Sequence, residues 1–432
     1  MVTQKGVAAK LYRSKDGLGV WEHRGKVAAV SYGYSPCDRR WDENLEHSLG
    51  AYSMIAAKKA LEEAGIRLDQ VDGVVSAPGP IGEPWAPRPY FAPPYDSEDG
   101  ISLVTAEWLI KNMGLKNVRF ANSEASRGHG QVLGMASQAI GEGLCHTCLV
   151  LFPFGNLAGR YSQAGSNARE TATGNGQWSM PWGWGAAGAG FAYGFNQYCR
   201  KYGVNHDMMA PFVVNLRRNG RMNPMGYYAQ HPEEPLTVED YLASRWVVKP
   251  LCLHDADRPV NAAVCFLLTT ADRAKDMKLP PVYVLNHNNN NFEARGLTHT
   301  AEEMGQFGDI HARRMYEGSG LTPSEVDIFN PYDGFTLFTQ YYLDAFGWHG
   351  VKKGEALHFY QGDIRVEGPH PFLSSGGNNG TGRTRAAIFT DCIEQLQGRA
   401  GPRQVHIKAE TAIAGCTMPH TCAWMAFGKY PD

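Results

Sequence analysis

The chain has 432 residues, of which 43% are hydrophobic and 19% charged, a balance that excludes a disordered chain and supports a large core. Its formal net charge is -2 and no basic stripe stands out, which argues against a nucleic-acid partner. No apolar run reaches the roughly 18 residues of a membrane helix, the polar start carries no signal core, and nine cysteines are too sparse for a disulfide scaffold, so the expectation is a reduced, cytoplasmic protein.

Apolar runs and helical periodicity alternate from the start. Strands are expected at Lys26–Tyr32, Val71–Ser76, Asn117–Ala121 and Thr147–Phe152, and helices at Leu45–Gly65, Ser102–Met113 and Gly128–Gly143. That alternation predicts an α/β fold with a mostly parallel sheet covered by helices. From Pro153 to Phe195 the pattern gives way to a Gly-, Ser-, Asn- and Trp-rich stretch holding Trp178, Trp182 and Trp184, long enough to suggest a functional loop. Helices follow at Ala192–Lys201, Asp207–Asn219 and Val238–Ser244, then a strand at Ala262–Thr270. After Pro280–Pro281 the grammar repeats, with strands at Val282–Asn286, Val326–Asn330, Gln404–Ala409 and Cys422–Phe427. The helices of this part are Ala301–Gly318, Thr336–Phe346 and Arg383–Gln397.

The two parts share landmarks. Gly65-Ile66 with Val71-Asp72 reappears 255 residues on as Gly320-Leu321 with Val326-Asp327, and the same shift carries Gly143 onto Gly398. One offset for separate landmarks indicates an internal duplication. The division expected is residues 1–280, with an insertion over about 153–245, and residues 281–432. Equivalent helices then follow two polar, glycine-rich approaches, Asn122–Arg127 and Ser374–Gly382. Exposed N–H groups at such helix starts favour a carboxylate or an oxyanion, which nominates Gly377 and Asn378 for substrate binding.

The resemblance becomes specific in Ala60-Leu61-Glu62-Glu63-Ala64-Gly65, Leu236–Arg245, Pro250-Leu251-Cys252-Leu253, Pro259–Ala263, Tyr332-Asp333-Gly334-Phe335-Thr336 and Gln395-Leu396-Gln397-Gly398. These stretches resemble the thiolase superfamily, and within it the sterol-carrier-type thiolases and the lipid-transfer-type aldolases that cleave steroid side chains as coenzyme A thioesters. The resemblance implies two duplicated βαβαβαββ halves in α/β/α/β/α layers. It also implies a homodimer through the sheet edge near Asn117–Ala121, and a small partner protein with an oligonucleotide-binding-type fold and a zinc ribbon.

The departures from that family carry the chemistry. The place of the thiolase nucleophilic cysteine falls at Ser126, with no cysteine between Cys37 and Cys145. His129 lies one helical turn on and makes a Ser–His pair conceivable, although a capping serine is the commoner use of this position. Arg383 and Arg385 stand where the aldolases resembled carry a tyrosine and a histidine. Arginine cannot exchange a proton near neutral pH, but it can stabilise an enolate or hold a phosphate. Tyr332 matches the aldolase tyrosine, and the two arginines are expected to lower its pKa enough for a base. Asp333 beside it is a candidate to orient the loop, and Trp182 to wall a large apolar cavity. Cys416 stands at the thiolase acid–base cysteine, as a proton shuttle or a buried small hydrophobe. Cys145-His146-Thr147-Cys148 has a zinc-pair spacing but no second pair, so no metal is expected.

The expected activity is a retro-aldol carbon–carbon lyase. It cleaves a bulky β-hydroxyacyl-CoA, such as a steroid side chain, to a ketone or aldehyde and an acyl-CoA, with no cofactor beyond the thioester substrate. Two alternatives stand beside it: a cysteine-less Claisen-type acyltransferase using Ser126 or Cys416, and a non-catalytic subunit that binds acyl-CoA or lipid.

Overall fold

The computed structural model describes residues 11–78, 98–101, 103–123, 129–156, 187–289 and 300–432, the side chains of His129 and Ala187 excepted. Its strands are β1 (Val27–Tyr34), β2 (Gly73–Ser76), β3 (Phe120–Asn122), β4 (Thr147–Phe154), β5 (Trp246–Val248), β6 (Leu251–Cys252), β7 (Ala262–Thr270), β8 (Val282–Asn289), β9 (Ile328–Asn330), β10 (Thr411–Cys416) and β11 (Ala423–Gly428). The principal helices are α1 (Leu49–Ala64), α2 (Ala106–Met113), α3 (His129–Gly141), α4 (Ala187–Tyr202), α5 (Ala210–Arg221), α6 (Val238–Leu242), α7 (Ala301–Ser319), α8 (Thr339–Phe346), α9 (Gly377–Thr381) and α10 (Ala387–Gln397). No helix among the described residues is long and apolar enough to cross a membrane.

Nine strands run in the order β3-β2-β4-β7-β1-β8-β11-β10-β9, with β5 and β6 in a separate pair. The first five strands come from the first half of the chain and the next four from the second, joined where β1 pairs β8. Strands β4, β8 and β11 are buried along their whole length because helices cover both faces. Helices α1 and α2 lie on the first set of strands and α7 on the second, while α3 and α10 touch strands of both sets. The result is the α/β/α/β/α layering of the thiolase fold.

The landmarks of the repeat occupy equivalent positions. Gly65 ends α1 at φ 72° and Gly320 ends α7 at φ 73°, both left-handed caps that favour glycine. One oxygen of Asp72 accepts the N–H groups of His146 and Thr147 at 2.8 Å each, opening β4. Asp327 accepts those of Glu410 and Thr411 at 2.8 and 3.0 Å, opening β10. The same residue thus starts the same strand in each set.

Three expectations are corrected. The sheet is mixed rather than mostly parallel: among the described strands only β2–β3, β2–β4 and β9–β10 are parallel. Strand β11 follows β10 after a short turn, which permits only antiparallel pairing. The strand expected at Gln404–Ala409 is irregular, because the Gln395 side chain takes the Val405 N–H at 3.0 Å, and the strand begins at Thr411. The last helix begins at Ala387 instead of Arg383. The segment before it is bent, with Gly382 at φ 92° and Arg385 at φ 57°, and the Arg383 N–H bonds Arg258 O at 2.8 Å.

Close backbone approach fixes α9. A Cβ on Gly220 of α5 would stand 1.9 Å from the Gly380 carbonyl oxygen, whereas one on Gly305 of α7 would meet nothing within 4 Å. Gly220→Ala is therefore expected to destabilise the protein by about 1–3 kcal/mol through overpacking. Gly305→Ala should gain about 0.5–1 kcal/mol from helix propensity. Denaturant midpoints of the two variants, expected to move in opposite directions, check this.

Candidate functional site

The site forms where four chain segments meet. The first is a strut, Leu253–Arg258. Asp255 on it is fully buried and accepts from Tyr241 Oη at 2.7 Å, Thr336 Oγ1 at 2.9 Å and Cys252 N at 2.7 Å, with His206 Nε2 2.7 Å away. Ligand atoms of His206, Cys252 and Asp255 lie within 4.8 Å of one another, a spacing that suits a metal. Each Asp255 oxygen already accepts hydrogen bonds, so the cluster reads as a structural knot joining α6 to the Thr336 turn. The strut pairs with the second segment, the loop Tyr332–Phe335, through an Ala256–Phe335 bridge and an Asp257 N–H donated to Gly334 O at 2.8 Å.

The loop carries Tyr332 and Asp333, both buried. The Tyr332 hydroxyl and the Asp257 carboxylate both border Gly334: a Cβ there would lie 2.5 Å from Tyr332 Oη and 2.5 Å from Asp257 Oδ2, so the two oxygens lie within about 5 Å of each other. Burial raises the phenol pKa above its ordinary value and the Asp257 charge raises it further, while Arg385 and Arg383 pull it down without prevailing. The expectation of a phenol poised as a base by two arginines is corrected: desolvation wins, and Tyr332 holds its proton.

Asp333 is committed to the fold. Its carboxylate accepts Asn378 N at 2.8 Å, Asn378 Nδ2 at 3.1 Å and Asn379 N at 2.9 Å, so it caps α9. Burial pushes its pKa up to about 7 against these three donors. Gly377 sits at φ 60°, and a Cβ there would lie 2.0 Å from Asp333 Oδ2. The N–H groups expected to greet a substrate at Gly377 and Asn378 are thus turned inward: Gly377 N donates to Ser375 Oγ at 3.0 Å and Asn378 N to Asp333.

The third segment, Gly382–Arg385, brings the two arginines in. Arg383, 2% exposed, donates from Nε to Asp257 Oδ1 at 2.9 Å. Its guanidinium lies 5.9 Å from the Phe154 ring and 6.0 Å from that of Phe335, and Arg385 lies 5.6 Å from Phe154. A cation against an aromatic face is attracted by the ring, more strongly where water is scarce. The fourth segment ends β10 at Cys416, fully buried. Burial pushes its thiol up to about 12; Arg385 opposes the shift, and the Asp333 and Asp257 charges add to it. A protonated, buried thiol is a poor nucleophile. Incubation with an acyl-CoA should leave no adduct on Cys416, and intact-mass measurement checks this.

The structure therefore gathers Tyr332, Arg383, Arg385 and Cys416 around Asp257, with Asp333 behind them. Ser126 and Trp182 lie outside the described residues, as does the His129 side chain. Sequence reasoning missed Asp257, and its partner Arg383 is 126 positions away. The one local signal was the close pair of carboxylates, which separate because Asp255 ends a 3-10 turn and bonds Tyr241 and Thr336 while Asp257 follows the turn and bonds Arg383.

A cleft of about 310 Å³ lies on the other side of α9 and is lined by Arg217, Arg221, Tyr228, Glu233, Asp240 and His254, among others. Arg217 stacks 4.2 Å from the Tyr228 ring centroid and donates to Asn379 Oδ1 at 3.0 Å. Asn379 thus joins this cleft to the Asp333 cap.

Comparison with known proteins places these features. Residues 299–421 match the family described as thiolase C-terminal domain-like. The chain is 29% identical over 303 residues to the 17-hydroxy-3-oxo-4-pregnene-20-carboxyl-CoA lyase of Mycobacterium tuberculosis, covering 64% of this chain and 75% of that one. It is 26% identical to the steroid side-chain-cleaving aldolase of Thermomonospora curvata, covering 65% of this chain and 75% of that one. Among solved structures, the Ltp2-ChsH2(DUF35) aldolase superposes with a TM-score of 0.75 at 20% identity, covering 94% of this chain and 98% of that chain. Human mitochondrial 3-ketoacyl-CoA thiolase in complex with CoA superposes with a TM-score of 0.64 at 14% identity, covering 95% and 98%.

Proposed function

Since the chain belongs to the thiolase superfamily, we propose that it is a carbon–carbon lyase that splits a bulky β-hydroxyacyl-CoA into a ketone or aldehyde and an acyl-CoA. The observation that carries this reading is the buried Tyr332 phenol facing a carboxylate, with two guanidinium groups alongside. Tyr332 takes the substrate hydroxyl proton as its own phenol proton passes to a neighbouring acceptor. The oxygen's electron pair forms the carbonyl, the Cα–Cβ bond breaks, and its electrons pass to the thioester as an enolate. Arg385 and Arg383 stabilise that developing charge in a site of low polarity. A proton then returns to Cα, and the Cys416 thiol is the donor assigned here. No acyl-enzyme forms, which fits a serine at the family's cysteine position.

One similar protein is named a steroid side-chain-cleaving aldolase and another a 17-hydroxy-3-oxo-4-pregnene-20-carboxyl-CoA lyase, which supports a polycyclic body on the substrate. The solved aldolase neighbour is named for two components, which supports a hetero-oligomer with a small partner protein, built on a dimer through the half-exposed edge strand β3.

The test is a screen of hydroxyacyl-CoA thioesters for carbonyl release, with and without a co-expressed partner. Carbonyl compound and acyl-CoA in equal amounts, without an added thiol, are expected. Product that requires free coenzyme A, together with an acylated protein by intact mass, would move the reading to acyl transfer.

A further inference from the structure

The Tyr332 phenol cannot work as a base on its own terms: it starts with its proton in place. We propose that Asp257 is the positioning residue that receives this proton, so that substrate hydroxyl, Tyr332 Oη and Asp257 Oδ2 form one relay with Gly334 as its spacer. The inference rests on the lyase reading above and assigns a role to a carboxylate outside every motif that carries the family resemblance.

The geometry carries it. A Cβ on Gly334 would stand 2.5 Å from each of the two oxygens, so both border the same small space and the gap between them is at most about 5 Å. That gap admits transfer after a small rotation or through one bridging water. Asp257 is held for the task at both ends: its N–H donates to Gly334 O at 2.8 Å, and its Oδ1 accepts from Arg383 Nε at 2.9 Å. Arg383 Nε meets Oδ1, and Oδ2 is the oxygen that shares the Gly334 space with the phenol. The charged and titratable groups around the pair are Arg383 and Arg385 from the bent segment, Asp333 from the loop, Cys416 from β10 and Tyr342 from α8.

The step balances. The substrate hydroxyl proton moves to Tyr332 Oη as the phenol proton moves to Asp257 Oδ2. The Cα–Cβ electron pair leaves as the enolate, and the carbonyl forms at Cβ. After Cα is protonated, the Asp257 proton leaves through Tyr332 to restore the thiol or passes to solvent, so no oxidant or other reactant is needed. Asp257 never touches the substrate; it acts through Tyr332.

The experiment compares pH–rate profiles of the parent, Asp257→Asn, Asp257→Glu, Gly334→Ala, Tyr332→Phe and the Asp257→Asn/Tyr332→Phe double variant on one cleaved thioester. Asp257→Asn should lower kcat by about a hundredfold across the profile with KM within about twofold. Asp257→Glu should recover part of the rate. Gly334→Ala, which fills the gap without removing either oxygen, should lose rate comparably. The double variant should be no slower than Tyr332→Phe alone, because a relay fails once. An Asp257→Asn variant within about threefold of the parent, or losses that multiply in the double variant, would overturn the relay while leaving the lyase reading intact. A folded parent that releases no carbonyl from any thioester would overturn both.

Discussion

Tyr332→Phe should lower turnover of a cleaved β-hydroxyacyl-CoA by about 10²–10⁴-fold, the usual contribution of a positioned proton-transfer group. Among the described groups of the cluster, Tyr332 is the one whose oxygen can accept a hydroxyl proton while passing its own to a neighbour. Arg383 and Arg385 cannot exchange protons near neutrality. The Cys416 thiol is pushed up to about 12 by burial, and Asp333 is occupied by three N–H donors. The phenol differs because it faces Asp257 across the Gly334 gap. Removing one oxygen leaves the ring in its packing, so the denaturant midpoint should move by no more than about 1 kcal/mol in stability. KM should hold, since the hydroxyl acts in the transition state more than in binding. Steady-state kinetics beside a chemical melt check all three. A variant that keeps more than about a tenth of the parent rate would remove Tyr332 from the proton path and return attention to Cys416 or His129.

Much of the fold was written locally. Ala262–Leu268 is an unbroken apolar run, and the strand covers it and runs on to Thr270. The Gly65 and Gly320 caps announced the repeat because a left-handed helix end favours glycine wherever it recurs. Strand direction was less legible, because it depends on what connects two strands, and the short turn between β10 and β11 reads like any other loop. The site was legible in its members but not in their states. The motif placed Tyr332 and Asp333 side by side, yet one faces the cleft-forming segments and the other caps α9, a division set by residues 45 and 46 positions away. Burial was the decisive missing quantity. With it, two arginines that should have lowered a phenol pKa lose to desolvation. The start of α10 was misplaced for a related reason: Arg383 leaves the helix to meet Asp257, a tertiary pairing that local propensity cannot anticipate.

The largest loss of stability should come from Arg383→Met. Arg383 and Asp257 are 2% and 1% exposed, and their bond of 2.9 Å joins the Gly382–Arg385 segment to the strut beneath the Tyr332 loop. Methionine matches the length of the arginine stem but leaves a carboxylate without its cation. Breaking a buried pair on one side typically costs about 3–5 kcal/mol, because the surviving charge has lost its water as well as its partner. Removing the charge from both sides is far cheaper, so Asp257→Leu added to Arg383→Met should restore most of the loss, and the pair should be strongly non-additive. Neither the single nor the double variant should recover activity: the first lacks the cation that stabilises the enolate, and the second also lacks the relay carboxylate. Guanidinium chloride unfolding of the parent, both single variants and the double variant gives the cycle. A loss below about 1 kcal/mol for Arg383→Met would mean that Arg385 takes over the carboxylate, whereas stability restored with activity still absent is the result that separates what this pair does for the fold from what it does for the chemistry.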